Sequence, residues 1–301
     1  MKEYTATIGF FDGVHRGHRY LIDKVRATAA QAGTQSMAIT FDRHPRQVLQ
    51  ASYVPQMLST LYMKVRMLKA TGIDSVQVLP FTTQLAGLSA RQFMQQVLRD
   101  TLHVRQLVIG YDNRFGHNRA EGFDQYVQYG HEMGIEVLPA DALVLDGVKV
   151  SSSEVRRLLA EGRVADAAQC LGYAYTLHGT VTHGFAEGRK IGFPTANLDT
   201  SSCPIMLPAS GVYAARVGFA DEPCTRPAML NIGTRPTFQG THTTIEAHLF
   251  HFHDNVYGQP MHVALLHHLR EEQRFSTIKA LEQQLKADKQ QAMRMLEESE
   301  E

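Results

Sequence analysis

Residues 9–18 read GFFDGVHRGH, and the fold turns on this stretch. It lies between a strand predicted over 5–10 and a helix predicted over 18–32. Leu21, Ile22, Val25, Ala29 and Ala32 share one face of that helix, and Gly33 supplies its stop. A glycine-rich turn from strand to helix points free N–H groups and the positive end of the helix dipole at whatever binds there, which favours phosphate. The stretch has neither the GxGxxG of a dinucleotide fold nor the GK[ST] ending of a P-loop. His15 and His18, three apart, fall on one face of the first turn. Their ring N–H groups can donate to one phosphate together, and Gly13 and Gly17 let backbone approach it closely. A glycine-rich turn with two solvated histidines is the competing reading of the same letters.

Working outward, strand patterns at 37–41, 75–79, 106–109 and 136–138 alternate with helical patterns at 63–70, 90–102 and 124–133. Strands separated by helices imply right-handed crossovers and a parallel sheet covered on both faces. Such sheets bind ligands beyond the carboxyl ends of their strands. The loops after Ile8, Phe41, Leu79 and Ile109 are therefore where a site is expected. Asp146-Gly147 is a hairpin-type turn, and short helices follow at 151–159 and 164–171. After Gly172 the texture changes. Strand-like runs at 175–181, 212–217, 228–232, 244–252 and 261–269 are separated by Gly/Pro-rich loops, which reads as a small antiparallel barrel or sandwich. An amphipathic helix over 277–296 closes it, with Ile278, Leu281, Leu285, Ala292, Met295 and Leu296 as the apolar stripe. The acidic residues 297–301 are expected to fray, because acids at a helix C-terminus oppose the dipole. The division is thus an α/β domain over 1–171 and a β domain over 172–301.

Composition narrows the classes. The 301 residues carry 30 basic and 30 acidic side chains. Zero formal net charge argues against a broad grip on nucleic acid or an anionic membrane, while leaving a local phosphate site open. Hydrophobic residues at 44% are enough for a buried core. Cys170, Cys203 and Cys224 form no CxxC pair, which reads as reduced thiols in a cytoplasmic protein. No stretch has the 18 or so apolar residues of a membrane span, and the N-terminus lacks a signal-peptide core. Of the 15 histidines none belongs to an HExxH motif, so zinc finds no support in the pattern.

Two more first-half stretches bear on phosphate. Residues 108–116 read VIGYDNRFG, placing Asp112 and Arg114 at the same sheet edge. Residues 150–156 read VSSSEVR, in which Ser151, Ser152 and Ser153 open a helix and Arg156 follows one turn in. Alone, such serines are a common N-cap. Together with TFDRHPRQVL at 40–49, these motifs resemble the nucleotidyltransferase superfamily, whose HxGH signature matches His15, Gly17 and His18. More specifically they resemble the FAD synthetase module of the bacterial bifunctional riboflavin kinase/FAD synthetases. The resemblance implies a Rossmann-like nucleotidyltransferase sheet and adenylyl transfer from ATP to FMN. In it His15 and His18 hold phosphate oxygens, Gly9, Phe10, Asp12, Gly17, Asp112 and Arg114 shape the nucleotide pocket, and Ser151, Ser152, Ser153 and Arg156 hold the leaving pyrophosphate. Asn113 stands where the family usually has an aromatic residue. Ser153 replaces the usual Thr but keeps the hydroxyl.

In the second half, residues 179–198 read GTVTHGFAEGRKIGFPTANL. Gly179, Gly184, Gly188 and Gly192 flank Arg189-Lys190, which suits phosphate and equally suits a mobile hairpin with solvated charges. Thr195 and Asn197 carry hard oxygen donors of the kind Mg²⁺ accepts beside nucleotide phosphates. In TTIEAHLFHF, 243–252, Glu246 shares a strand face with His248 and Phe250. It is either an exposed strand residue or a carboxylate placed for use. GFPTANL, GVYAARV at 211–217, NIGTRPTF at 231–238 and LREEQRF at 269–275 resemble the riboflavin kinase module of the same family. The resemblance implies that Thr195 and Asn197 bind Mg²⁺ and ATP phosphates in a loop with Gly179, Gly184 and Lys190. Glu246 then faces the ribityl 5′-hydroxyl, and Arg270 meets a phosphate or the flavin. The expected partners are small molecules (ATP, riboflavin and FMN), with no nucleic acid and no membrane, and a homo-oligomer is left open. An adenylyltransferase for another phosphorylated metabolite, and a flavin or nucleotide sensor, are the alternatives.

Overall fold

A computed structural model describes residues 2–50, 52–111, 113–184, 187–237 and 240–298. The chain divides into two compact units, residues 1–152 and 153–301. In the first, strands β1 (Tyr4–Ile8), β2 (Gln35–Phe41), β3 (Ser75–Leu79), β4 (Val104–Gly110) and β5 (Glu136–Ala140) form one sheet in the order β3-β2-β1-β4-β5. Every pairing in it is parallel. Helices α1 (Arg16–Ala32), α2 (Pro45–Leu49), α3 (Leu61–Ala70), α4 (Thr83–Ala86), α5 (Ala90–Phe93) and α6 (Phe123–Met133) make the crossovers. The order reverses between β1 and β4, so the crevice beyond their carboxyl ends is the topological switch point. Residues 9–18 follow β1 and the GYDNRFG run follows β4, which flanks that crevice.

The sheet is buried on both faces. Ile22 and Val25 of α1 and Leu68 of α3 pack on Ala38 and Val108. Phe93, Met94, Leu98 and Tyr126 cover Ala6, Ile39 and Leu107 on the other face. The helix expected over 90–102 is α-helical only to Phe93 and then widens into π turns over Met94–Thr101. The wider turn holds Phe93 and Leu98, five residues apart, on the sheet side together, whereas an α-helix would splay them. Strands β6 (Val144–Leu145) and β7 (Val148–Lys149) form the hairpin expected at Asp146-Gly147. Both turn residues are left-handed, φ 47° and 79°, as a two-residue hairpin requires.

In the second unit, β8 (Thr176–Thr182), β9 (Ala196–Asp199), β10 (Gly211–Phe219), β11 (Arg226–Thr237), β12 (Gly240–Leu249) and β13 (Pro260–Arg270) close a barrel in the order β10-β11-β12-β9-β8-β13. Period-2 alternation sends Tyr213, Ala215, Leu230, Ile245, Ala247 and Val263 inward, all nearly fully buried. Helices α7 (Ser152–Ala160) and α8 (Val164–Leu171) precede the barrel, and the Ala209 N–H donates to the Leu159 carbonyl at 2.9 Å. After β8 comes one short turn of helix, α9 (Glu187–Lys190). The last helix, α10 (Ile278–Glu298), lays Ala292 and Leu296 on Ala214, Met229, Phe193 and Phe250 of the barrel's outer wall.

Two expectations for that helix are corrected. Ile278 is 67% exposed and lies outside the stripe, because the first turn overhangs the wall. Glu297 and Glu298 are helical rather than frayed: Arg216 donates to the Leu296 carbonyl at 3.1 Å and caps the end, and Arg294 reaches Glu298. Residues 299–301 lie outside the described residues. The strand expected over 244–252 ends at Leu249, but Phe250 still packs on the outer wall with its ring 5.7 Å from that of His248, so it keeps the face expected for it.

Candidate active sites

The first site is built on the turn after β1. Phe11 and Val14 have left-handed backbone, φ 54° and 37°, without being glycine. Such angles cost roughly 1–2 kcal/mol each and survive only where the surroundings fix them. Asp12 does the fixing. Its carboxylate is 2% exposed and accepts from the N–H groups of Leu58 and Ser59 at 2.9–3.0 Å and from Ser59 Oγ at 3.1 Å. The Gly13 N–H donates in turn to Ser59 Oγ. Asp12 is therefore a clamp on the turn, aimed at backbone.

The clamp delivers His15 to the N-cap of α1. The His18 N–H donates to His15 Nδ1 at 3.2 Å. An accepting nitrogen carries no proton, so the ring proton of His15 sits on Nε2. The two imidazoles stack with centroids 3.6 Å apart and planes 18° apart, and the Phe11 ring meets His18 edge-on at 5.1 Å. A Cβ on Gly17 would lie 3.0 Å from the Val150 carbonyl and 3.2 Å from the His15 ring, so a side chain there would press on both. The Ser152 hydroxyl donates to the Asp12 carbonyl at 3.1 Å, drawing the first serines of SSSEVR to this turn. At the neighbouring edge, Asn113 donates its side-chain amide to the Ile8 carbonyl, the last residue of β1.

Phe10 belongs to the same edge. It meets His44 edge-on at 4.9 Å, and His44 lies 5.5 Å from Tyr53. Arg114 is exposed, and Asp112 lies outside the described residues. Ser153 and Arg156 stand on α7, past the border of the first unit. His18 is held well below the ordinary histidine range, first by burial and then by the charges of His15 and Lys64. Its Nδ1 is buried without a hydrogen-bond partner among the described residues.

The second site is a rung on the outer wall of the barrel. Strand register sets Asn197 of β9 opposite Glu246 of β12, and Glu246 opposite Asn231 of β11. Opposed residues share a face, and their neighbours Ala196, Ile245 and Ala247 point inward, so these three side chains face out. Thr195 Oγ1 donates to Glu246 at 3.3 Å. The Glu246 carboxylate thus stays outside the barrel core. One step along the strand, His248 is 6% exposed and bonded through Nδ1 to the Pro194 carbonyl at 2.7 Å. That fixes the proline of the PTAN loop to β12, and burial lowers the pKa of His248.

The glycines of this loop have packing reasons. A Cβ on Gly179 would lie 2.2 Å from the Asp199 carbonyl, and one on Gly184 would lie 2.1 Å from Asn197 Nδ2. Lys190 is exposed at the end of α9. Arg270 is differently engaged: it forms a two-pronged ion pair with Asp288 of α10, at 2.8–3.1 Å, and Gln284 supports the same carboxylate. That pair ties α10 to β13. Glu272, from the loop after β13, overhangs Gly233 beside Asn231.

Three features escaped the sequence reading. Strand β9 is only four residues long and follows Pro194, too short for alternation to announce it. The Leu58-Ser59 clamp has no motif. Lys64 carried a signal that went unused, a charged residue sharing the buried face of α3 with Leu68.

A parallel sheet with a histidine pair at its switch point, followed by a closed barrel with a carboxylate rung, defines a two-module nucleotide-dependent transferase. The FAD synthetase family matches residues 1–154, and the riboflavin kinase family matches residues 171–296. The chain belongs to the bifunctional riboflavin kinase/FMN adenylyltransferases. It is 36% identical over 283 residues to that enzyme of Escherichia coli (strain K12), covering 94% of this chain and 89% of the relative. The enzyme of Listeria monocytogenes is 35% identical over 289 residues, with the same coverage. A crystal structure of a Streptococcus pneumoniae protein called a macrolide-efflux protein shares the fold, with a TM-score of 0.87 at 28% identity, covering 96% of this chain and 94% of that one. Among the described residues here, no helix is long and apolar enough to cross a membrane.

Proposed function

We propose that the second unit phosphorylates riboflavin with ATP and that the first adenylylates the resulting FMN. In the kinase step the 5′-hydroxyl oxygen of riboflavin bonds to the γ-phosphorus of ATP, ADP leaves, and the hydroxyl proton is released. In the second step an oxygen of the FMN phosphate bonds to the α-phosphorus of another ATP, and pyrophosphate leaves. Neither step needs a covalent enzyme intermediate, so the residues act by positioning and charge.

The observation that carries the adenylylation reading is the histidine stack at the N-terminus of α1. His15 keeps a proton on Nε2 beside free helical N–H groups, a set of donors suited to phosphate oxygens. Gly9, Phe10 and Gly17 shape the approach. Ser151 and Ser152 with, by resemblance, Ser153 and Arg156 take the leaving pyrophosphate. On the barrel, Glu246 orients the ribityl hydroxyl. In a loose phosphoryl-transfer transition state proton removal comes late, so orientation outweighs basicity.

Thr195, Asn197 and Glu246 converge as hard oxygen donors, and one carboxylate with neutral oxygens suits Mg²⁺ shared with nucleotide phosphates. Thr195 and Asn197 hold the ion in this reading. When bound, Mg²⁺ offsets charge on the phosphates.

Purified protein given riboflavin, ATP and Mg²⁺ should yield FMN and then FAD by chromatography. His15→Ala with His18→Ala should abolish FAD formation while sparing FMN. Glu246→Ala should stop FMN formation while leaving conversion of supplied FMN to FAD intact. Normal FAD output from the double-histidine variant would sink the first assignment, and normal FMN output from Glu246→Ala the second.

A further inference from the structure

His248 is a polar residue sealed in an apolar setting. It is 6% exposed, and its ring lies 5.1 Å from that of Phe193 and 5.7 Å from that of Phe250, two members of the cluster that α10 covers. An apolar ring would fill such a place without desolvating an imidazole. The polar atom has a defined use. Nδ1 lies 2.7 Å from the Pro194 carbonyl oxygen. A carbonyl only accepts, so the imidazole donates and its proton sits on Nδ1. This bond forms where strand pairing stops. Strand β9 pairs with β12 at Asn197–Glu246 and Ala196–Ala247, and it begins at Ala196, one residue after Thr195. Pro194 has no N–H with which to extend the ladder. A side chain of β12 therefore continues the hold on the loop that backbone cannot. From the other side, the Phe193 N–H donates to the Gly188 carbonyl at 2.8 Å, and a Cβ on Gly188 would lie 2.3 Å from the Phe193 carbonyl. The residues just before Thr195 are thus held between α9 and β12.

We propose that His248 is a positioning residue of the kinase: its Nδ1–H, bonded to the Pro194 carbonyl, sets the Thr195 hydroxyl against Glu246 and beside Asn197. The inference rests on the assignment of Thr195, Asn197 and Glu246 to riboflavin phosphorylation. The Pro194 carbonyl and the nitrogen and Cα of Thr195 belong to one planar peptide. Holding that oxygen therefore fixes the plane from which the Thr195 side chain departs. Glu246 and His248, two apart on β12, bracket the threonine: one meets its hydroxyl and the other the peptide behind it. The two bonds are unequal. Thr195 Oγ1 stands 3.3 Å from Glu246, long for a hydroxyl donor, whereas the imidazole bond at 2.7 Å is short for a nitrogen donor. The loop is thus held chiefly through His248, and the hydroxyl is left able to turn toward a ligand.

Two substitutions in the full chain separate the donor from the volume. His248→Phe keeps a ring and removes the N–H, whereas His248→Asn gives up the ring and keeps a side-chain N–H near the place of Nδ1. FMN formation is measured against Mg·ATP at saturating riboflavin and against riboflavin at saturating Mg·ATP. His248→Phe should lower kcat/KM for Mg·ATP about 100-fold, the effect of displacing a positioned group by about 1 Å, with the KM for riboflavin unchanged. His248→Asn should recover at least about tenfold of that loss, although it packs worse. A His248→Phe enzyme within about threefold of wild type overturns the proposal. So do equal losses in the two variants, or a riboflavin KM that rises as steeply as the Mg·ATP term falls, since packing alone would then explain the residue. A measurement on unaltered protein, without nucleotide, guards against misfolded variants: nitrogen NMR of the neutral His248 ring should show its proton on Nδ1. A proton on Nε2 overturns the proposal regardless. Normal FMN output from Glu246→Ala would be a different failure, that of the kinase assignment itself.

Discussion

Gly184→Ala should silence the kinase while sparing the adenylyltransferase, and the structure gives the size of the effect. The new methyl carbon would lie 2.1 Å from Asn197 Nδ2, 2.7 Å from its Cγ and 2.9 Å from its Oδ1. Ordinary contact begins near 3.4 Å, so the amide must retreat by about 1.3 Å. Gly184 has no left-handed backbone angle, so alanine is not excluded on that ground. The displaced group is the tip of a side chain, so the fold should lose little. Function is less forgiving: a misplacement of about 1 Å at a reacting centre can lower the rate about 100-fold, or roughly 2.7 kcal/mol of barrier. The assay is FMN formation from riboflavin under saturating ATP, with conversion of supplied FMN to FAD measured on the same sample. A kinase rate within threefold of wild type would refute the reasoning, because Asn197 would then have moved without consequence. A parallel fall in both activities would refute it differently, as general damage.

Arg270→Met strands the 1%-exposed carboxylate of Asp288 and should destabilise the second unit by about 3–5 kcal/mol in urea unfolding, whereas adding Asp288→Leu should restore most of it; equal losses in the single and double variants would count against a buried pair. His18, His248 and His268 are each held below the ordinary histidine range chiefly by burial. The unfolded chain therefore binds their protons near pH 6.5 while the fold does not, so stability should fall as pH drops below about 6.5 and be indifferent to these groups above it. Melting curves between pH 5 and 8 test this, and a melting temperature that rises on acidification contradicts it. Asp12→Ala leaves the Leu58 and Ser59 N–H groups without their acceptor, at about 1–3 kcal/mol each; FAD formation should drop with riboflavin phosphorylation unchanged, and an unchanged FAD rate would show that the turn holds without its clamp.

The sequence announced what was periodic or chemically specialised. Alternating strands and helices gave the parallel sheet, and Gly33 and Asp146-Gly147 marked real turns, because those positions need left-handed backbone. The 3.6-residue period could not reveal the widened turns over Met94–Thr101, since a π turn keeps the same apolar letters and changes only which of them face the sheet. Nor could a stripe drawn at 3.6 say that Ile278 overhangs the wall, because a helix's contacts end where its support ends.

The two sites differ in how much of them could be read, and the reason is physical. Residues that meet substrate must present special groups at fixed spacing, so HRGH and PTAN stand out as letters. Residues that hold those groups in place act by volume, backbone acceptors or through-space charge, and almost any sequence can supply them. Asp12 accepts from backbone at Leu58 and Ser59, and Arg270 is paired with Asp288, eighteen residues along the chain; neither interaction shows in the letters. Lys64 is the intermediate case. A lysine on the buried face of α3 breaks the helix pattern, and such a break calls for a compensating use of the charge. The carboxylate at Glu246 breaks the apolar strand pattern similarly, and there the barrel resolves the conflict by turning it outward beside Asn197 and Asn231. A polar residue in an apolar pattern thus has two structural outcomes, an outward face or a buried charge held by a backbone carbonyl and a ring. Burial, which only the folded chain shows, separates them.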